Sequence, residues 1–164
     1  MSVILSIDPG TVQSGWCLFG AGRALQSGVS PNKEILIRLS RCVVSGLAIE
    51  MVASYGMPVG REIFETCVWV GRFQQAWPRP EGVRLIYRRD VKLYLCGSAR
   101  AKDSNIRQAL LDKYGPVGTK KQPGPLYGVS SHAWAALAVA ATATATADGW
   151  PLPVNPLSSL TERR

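Results

Sequence analysis

The sequence predicts a single α/β domain built around one mixed β-sheet. Two observations support this class. The chain has 164 residues, which is a usual size for one domain. Three β-type segments come first, and helical and β-type segments then alternate. We expect the domain to cover residues 1–150, and the Pro-rich, polar segment 151–164 predicts a flexible tail.

The first three strands are expected to form an antiparallel meander within residues 3–29. Runs rich in β-branched and aromatic residues alternate there with turn-forming residues. The Asp-Pro-Gly sequence at 8–10 indicates a turn, and the Gly-Ala-Gly sequence at 20–22 is typical of a tight hairpin. The predicted strands are 3–7, 14–19 and 23–29.

The remainder of the domain is expected to place helices on the sheet. The predicted helices are 31–44, 59–77, 102–113 and 132–147, and the further strands are 46–52 and 83–87. Ser30 is expected to cap the first helix, with Pro31 at its first position. Apolar residues at helical spacing give this helix one buried face, formed by Ile35, Leu36, Leu39 and Val43. Residues 89–96 fit helix and strand equally well.

The helix predicted at 59–77 has apolar residues on more than one face. They are Ile63, Phe64, Cys67, Val68 and Val70. A helix that packs only against a sheet needs one apolar face. We therefore expect the sheet on one side of this helix and a partner subunit on the other.

The charge balance favours a polyanionic partner such as nucleic acid. Lys and Arg number 19 against 11 Asp and Glu, which gives a net charge of +8. The chain has no run of about 18 apolar residues, so we expect no membrane span. The four cysteines, Cys17, Cys42, Cys67 and Cys96, lack zinc-ligand spacing and lie beside apolar residues. They predict buried free thiols and a cytoplasmic protein.

Two acids are candidates for metal-dependent chemistry. Asp8 ends the first strand, and Glu50 lies within an otherwise apolar strand. A buried carboxylate needs a partner, and two adjacent carboxylates repel each other unless a cation neutralises them. Mg²⁺ suits such a pair because it binds few carboxylates and keeps waters and substrate phosphate. Turn formation by Asp8 and pairing of Glu50 with an arginine are the structural alternatives.

His132, the single histidine of the chain, is the third candidate. It opens a helix rich in small residues, which allows that helix to lie close to the sheet. Such an approach would bring the imidazole toward Asp8. A capping or surface role is the structural alternative.

Four segments in order resemble the RuvC-type Holliday-junction resolvases, and together they span most of residues 3–147. The first matches the family's opening strand, the second its second acidic strand, the third its Gly-Ser-Ala-x-Lys region, and the fourth its closing helix. The segments are Ile7-Asp8-Pro9-Gly10-Thr11 followed by Ser14-Gly15-Trp16, Leu47-Ala48-Ile49-Glu50, Cys96-Gly97-Ser98-Ala99-Arg100-Ala101-Lys102, and His132 followed by Ala135-Ala136-Leu137-Ala138-Val139-Ala140. The compact, Arg-rich chain is most similar to the branch found in bacteriophages and prophages.

The resemblance implies an RNase H-like fold and a homodimeric crossover junction endodeoxyribonuclease. Such an enzyme hydrolyses phosphodiesters of four-way DNA junctions in recombination and repair. Its cofactor would be Mg²⁺ or Mn²⁺, in a two-metal mechanism. Asp8 would bridge both ions, Glu50 would hold one, and His132 would ligate or orient the other. Because imidazole suits Mn²⁺ better than Mg²⁺, we expect Mn²⁺ to support at least equal activity.

One position departs from the family pattern. The last Asp of the family falls on Ala135, and no carboxylate occurs between Lys113 and Ala147. Asp148 lies about 24 Å along a helix from His132 and is too distant to substitute. Three explanations stay open: Asp8, Glu50 and His132 suffice; Asp103, otherwise a helix N-cap, lends a carboxylate; or Ala135 is an inactivating substitution.

Basic and aromatic side chains are candidate DNA contacts. Tyr55 and Met57, in the loop after Glu50, are expected to stack on or wedge between unpaired bases. Phosphate contacts are expected from Lys102, Arg107, Lys120, Lys121, Arg88 and Arg89. A solvated basic face and ordinary loop packing are the structural alternatives.

Three other functions compete with junction cleavage. The Asp-Pro-Gly-Thr sequence at 8–11 also resembles the phosphate loop of sugar-kinase or actin-like ATPases, but those proteins need two such domains. A junction-binding protein with weak or no cleavage is compatible with Ala135. The third is an RNase H-like nuclease that acts on RNA or on other branched DNA.

Overall fold

A five-stranded mixed sheet forms the centre of the structure, a computed structural model that describes residues 2–146 and 148–151. The strands are β1 (Val3–Asp8), β2 (Gln13–Gly20), β3 (Arg23–Pro31), β4 (Gly46–Met51) and β5 (Val83–Tyr87). They lie in the order β3-β2-β1-β4-β5, so β1 is central. The predicted meander is confirmed, since β1 pairs antiparallel with β2 and β2 pairs antiparallel with β3. β1 pairs parallel with β4, and β4 with β5.

Helices cover both faces of this sheet. They are α1 (Asn32–Arg41), α2 (Arg61–Ala76), α3 (Arg88–Cys96), α4 (Asp103–Tyr114) and α5 (Ala133–Ala145). One core includes Leu5, Ile7 and Ile49 and packs the sheet against α1 and α2. The other core includes Ile4 and Ala48 and packs the sheet against α3, α4 and α5. Residues 89–96, which the sequence left undecided, are helical.

The alanine-rich helix α5 lies directly on the sheet, as its small residues predicted. Nine of its residues are buried, seven of which are Ala or Val. The approach is closest at Gly15 of β2, where an added Cβ would lie 2.4 Å from the carbonyl oxygen of His132. Only glycine therefore fits at position 15 without moving the start of α5.

The start of α1 differs from the sequence prediction. Ser30 is not its N-cap: it pairs with Ser14 in the sheet, and its hydroxyl accepts a hydrogen bond from Trp16 Nε1 at 2.9 Å. Pro31 is the last residue of β3 and the cap position of α1. The prediction for Val43 is also wrong, since the helix ends at Arg41 and Val43 is exposed. Strand pairing outweighed local capping preference because β3 continues to the edge of the loop that follows Asp8.

Among the described residues, helix α2 leaves an apolar stripe exposed. Val70 and Phe73 are buried against the sheet, whereas Phe64 and Val68, one turn apart, are each 62% exposed. The expectation of apolar residues on two faces is therefore confirmed. A partner for the second face stays a prediction.

The chain beyond the last helix is only partly described. Pro151 is the last described residue, so the expected tail lies almost entirely outside the described residues. Within the described part of the chain, no helix has the length and apolar character needed to cross a membrane.

Candidate active site

Asp8 and Glu50 lie side by side at the same end of two parallel strands. Ile7 pairs with Ile49 in the β1–β4 register, and both acids are the next residues along their strands. Their side chains are mostly withdrawn from solvent, with 19% of Asp8 and 13% of Glu50 exposed. The adjacency predicted for these carboxylates is confirmed.

His132 joins Asp8 from the opposite side of the site. It precedes α5, and its Nδ1 lies 3.3 Å from Asp8 Oδ2. The imidazole is 66% exposed, so it can reach a ligand in solvent. The close approach of Gly15 to the His132 backbone fixes the position of the main chain from which the imidazole projects.

A buried polar network shapes the loop that follows Asp8. Ser14 Oγ donates to Asn32 Oδ1 at 2.6 Å, and Asn32 Nδ2 donates to the Gly10 carbonyl at 2.9 Å. The Gly10 amide donates to Ser14 Oγ at 3.2 Å. Sequence reasoning missed Asn32, because the network joins residues that are distant along the chain. An Asn near the predicted start of a helix is the only sequence signal, and it is weak.

Burial dominates the electrostatics of the two acids. Desolvation raises the pKa of Asp8 above its usual value, although His132 and Arg88 oppose this effect. Desolvation and the neighbouring charge of Asp8 raise the pKa of Glu50 to about 7, against the opposing effect of Arg88. Both carboxylates are therefore costly to ionise unless positive charge is supplied.

Arg88, the first residue of α3, supplies part of that charge. Its Nη2 donates a hydrogen bond to Asp103 Oδ1, and its Nη1 lies 3.6 Å from Glu50 Oε2. Glu50 Oε2 and Arg88 Nη1 are both buried and have no hydrogen-bond partner. Glu50 therefore forms an ion pair with an arginine but no hydrogen bond to it. This agrees in part with the structural alternative that the sequence left open for this acid.

The donor set suits a divalent ion, although no ready-made cage is present. In residues 2–146 and 148–151, no three His, Cys, Asp or Glu side chains are grouped tightly enough to hold a metal. Glu50 Oε2 nevertheless lies buried without a hydrogen bond beside a second carboxylate. Carboxylate oxygens with unused lone pairs are the ligands that Mg²⁺ and Mn²⁺ prefer. Asp8 and Glu50, with His132 beside them, therefore fit such an ion chemically.

Two clefts flank His132. One, of about 490 Å³, lies along the loop from Asp8 to Gln13. The other, of about 470 Å³, is lined by Arg88, Asp103, Arg107 and Ala135 among others. His132 lines both clefts, and Asp8 lines the first, so the two clefts meet at the His132–Asp8 pair.

Asp103 does not cap α4. Lys102 occupies the cap position, and its amide donates to the side chain of Asn105 at 2.9 Å. Asp103 is the first residue of the helix, its side chain is 87% exposed, and it holds Arg88. The N-cap alternative for Asp103 is therefore wrong. Its role as a metal ligand stays a prediction.

The basic candidates lie at several distances from the acids. Arg88 and Arg107 line the second cleft, and Lys102 directly precedes Asp103. Lys120 and Lys121 are exposed on the loop between α4 and α5 and line neither cleft.

The two loop residues proposed as base contacts are also exposed. Tyr55 is 58% and Met57 72% exposed, and Tyr55 adopts a positive φ of 48°. Tyr55 shares a shallow cleft with Arg89 and Tyr87. This cleft adjoins the end of β4 that carries Glu50, so an aromatic surface with a cation lies near the acids.

The fold is similar to that of RuvC from Thermus thermophilus. A structure of T. thermophilus RuvC in complex with a Holliday junction substrate has a TM-score of 0.66 and 20% sequence identity, covering 88% of this chain and 93% of that chain. A second T. thermophilus RuvC structure has a TM-score of 0.63 and 21% identity, covering 87% and 93% respectively. No family model and no curated protein matches the sequence. The chain thus has the RNase H-like fold of the RuvC Holliday-junction resolvases, as its four sequence segments indicated.

Proposed function

We propose that this protein is a divalent-metal-dependent endonuclease that cleaves four-way or otherwise branched DNA. The observation that carries the proposal is the convergence of Asp8, Glu50 and His132 at the carboxyl ends of two central strands of a RuvC-like fold. The net charge of +8 favours a nucleic-acid substrate. The phage or prophage branch, suggested by the compact Arg-rich sequence, belongs to the same proposal.

The residues suit phosphodiester hydrolysis. In that reaction the water oxygen bonds to phosphorus and one P–O ester bond breaks. The water gives up a proton to solvent, and the leaving sugar oxygen takes one up. Bound divalent ions would supply water activation and charge neutralisation. Asp8 and Glu50 would hold them, His132 would ligate or orient, and the two flanking clefts would accept the DNA backbone.

The basic residues are proposed to bind phosphate. Arg107 and Lys102 would act next to the acids, whereas Lys120 and Lys121 would contact more distant phosphates. Arg88 and Arg89 would also contact phosphates, and Tyr55 and Met57 would contact unpaired bases. We expect the affinity for DNA to fall steeply as the salt concentration rises, because the contacts of the basic residues are with phosphates.

Cleavage of a substrate panel tests the function. We expect the protein to cut a four-way junction faster than a flap, a duplex or an RNA hairpin. Mn²⁺ should support at least as much activity as Mg²⁺, because imidazole is a better ligand for Mn²⁺. Asp8→Asn should lower the cleavage rate by about 10³-fold while junction binding in Ca²⁺ changes little.

Three results would contradict parts of this proposal. Clearly superior activity with Mg²⁺ would count against His132 as a ligand. Faster cleavage of the RNA hairpin or duplex would overturn the junction preference. Tight junction binding without cleavage in either metal would instead support a junction-binding protein, the second candidate, which the absence of a carboxylate at Ala135 favours.

A homodimer is the proposed assembly, because a junction has two-fold character and two nicks require two sites. The exposed stripe of Phe64 and Val68 on α2 would form the isologous interface. Sedimentation of the wild-type protein at about 10 μM should give a dimer. The Phe64→Glu variant should be a monomer, because a dimer would bury the glutamate charge in an apolar contact. Val43→Glu, at an exposed position outside the helix, is the matched control and should stay dimeric. A monomeric wild-type protein would refute the assembly.

A further inference from the structure

The guanidinium of Arg88 places a positive charge between Glu50 and Asp103. It is held between two carboxylates, with Asp103 accepting a hydrogen bond from it on one side and Glu50 3.6 Å away on the other. Its side chain is 28% exposed, and it faces the cleft that also contains Arg107 and Ala135. The group is therefore oriented and mostly desolvated, and part of it is exposed in the cleft.

The same cleft offers a second metal ion few donors. Position 135 carries a methyl group in place of a carboxylate, and His132 is the one imidazole beside Ser131, Ser104 and Trp134 in the described lining. Among the described residues, Asp103 is the only acid that lines this cleft, and one of its oxygens already accepts a hydrogen bond from Arg88. An ion at this position would have to compete with a fixed positive charge.

From this arrangement we infer that Arg88 replaces the second metal ion of the proposed nuclease. One divalent ion binds at Asp8 and Glu50, and the Arg88 guanidinium provides the second positive charge to the scissile phosphate. Asp103 positions the guanidinium. The inference rests on the proposed function and departs from the two-ion mechanism expected from the resemblance.

The way Arg88 is held supports this role. Asp103 orients one nitrogen of the fork, and the other, Nη1, lies buried 3.6 Å from Glu50 Oε2, too far for a hydrogen bond. The side chain is 28% exposed, and a phosphate oxygen is a suitable acceptor for a guanidinium. A guanidinium aimed at a transferring phosphoryl group stabilises the charge that develops there. An arginine can therefore compensate for a metal ligand missing at position 135.

Ion counting and single-turnover cleavage together test the inference. We expect calorimetric or electron paramagnetic resonance titration with Mn²⁺ to find one ion per wild-type chain. Arg88→Ala frees Glu50 and Asp103, so a second, weaker ion should appear. Cleavage by this variant at low Mn²⁺ should fall by about 10²-fold or more and recover partly at high Mn²⁺.

Three further variants make the test specific. Arg88→Met retains the aliphatic stem and should behave as Arg88→Ala, which separates loss of charge from loss of packing. Arg88→Lys retains the charge without the fork and should keep one bound ion with reduced cleavage. Arg23→Ala removes an exposed arginine at the opposite end of the sheet and should match wild type in ion count and rate.

The outcomes separate this inference from the proposed function. Two ions per wild-type chain would overturn the inference. Cleavage by Arg88→Ala at or above the wild-type rate would also overturn it, since Arg88 would then only block the cleft or support the structure. If wild type binds one ion, Arg88→Ala binds two, and neither cleaves any substrate, the exclusion of a second ion by Arg88 stands, whereas its role at the phosphate and the nuclease proposal both fail.

Discussion

In the absence of divalent ions, Glu50→Gln will be more stable than the wild-type protein at pH 8, by about 3 kcal/mol at most. The pKa of Glu50 is raised from 4.5 to about 7 in the folded protein. Folding therefore favours the protonated form of Glu50. Below pH 4.5 the side chain is protonated in both the folded and unfolded states, so its full contribution to the free energy of unfolding is present. That contribution is lost as pH rises through 7, because the buried carboxylate must then ionise. Glutamine remains neutral throughout.

Urea unfolding at pH 4.5 and pH 8 measures the effect. The two proteins should have similar free energies of unfolding at pH 4.5 and should diverge as pH increases. Glu34→Gln, at an exposed position, is the control and should show no such divergence. A Glu50→Gln variant less stable than wild type at pH 8 would mean that the contact with Arg88 outweighs the cost of burial.

The same substitution should remove the proposed activity. Glu50→Gln keeps the shape of the side chain but removes the charge that an ion requires, so cleavage should fall by about 10³-fold. Mn²⁺ should raise the melting temperature of wild type at pH 8 and leave that of the variant nearly unchanged. Stability and activity would then change in opposite directions at one residue, as is common at functional sites.

Gly15→Ala is expected to have the largest structural effect of any single methyl group in the site. The new Cβ would lie 2.4 Å from the His132 carbonyl oxygen and 2.6 Å from its carbonyl carbon. Both are backbone atoms and cannot rotate away. The start of α5 must therefore shift, at a cost of about 2–3 kcal/mol. Cleavage should also fall by at least about 10-fold, since His132 moves relative to Asp8.

Gly71→Ala is the matched control for Gly15→Ala. Position 71 lies in the middle of α2, and an added Cβ would have no neighbour within 4 Å. Alanine should stabilise that helix by about 0.5–1 kcal/mol. Thermal unfolding and cleavage of both variants give the comparison. Equal stability of the two variants would show that α5 can retreat from the sheet without loss.

Much of the fold and the main acids follow from the sequence. The strands of the meander were predictable because turn residues separate them clearly. Glu50 stood out because an acid in an apolar strand needs a partner, and the parallel β1–β4 register then places it beside Asp8. His132 was identifiable because it is the only histidine and precedes a helix that small residues bring close to the sheet.

The sequence did not predict how the surroundings of the acids are connected. Arg88 reaches Glu50 across 38 positions in sequence and Asp103 across 15, and neither separation follows a local pattern. The segment at 89–96 had no dominant period, so the helix that carries Arg88 was left undecided. Asn32 and Ser30 were missed or misassigned for a related reason, since contacts between strands determine their hydrogen bonds.

The shortage of large side chains in α5 also affects how the protein can change over time. Alanines form most of the inner surface of that helix. The residue just before the helix is His132, whose imidazole lies next to Asp8. A larger side chain on the inner surface would displace the helix and with it His132, because the close-packed interior has no space to accommodate it. Selection on the chemistry therefore reaches well beyond the reactive groups, and a survey of tolerated substitutions should find these plain alanines nearly as restricted as the acids.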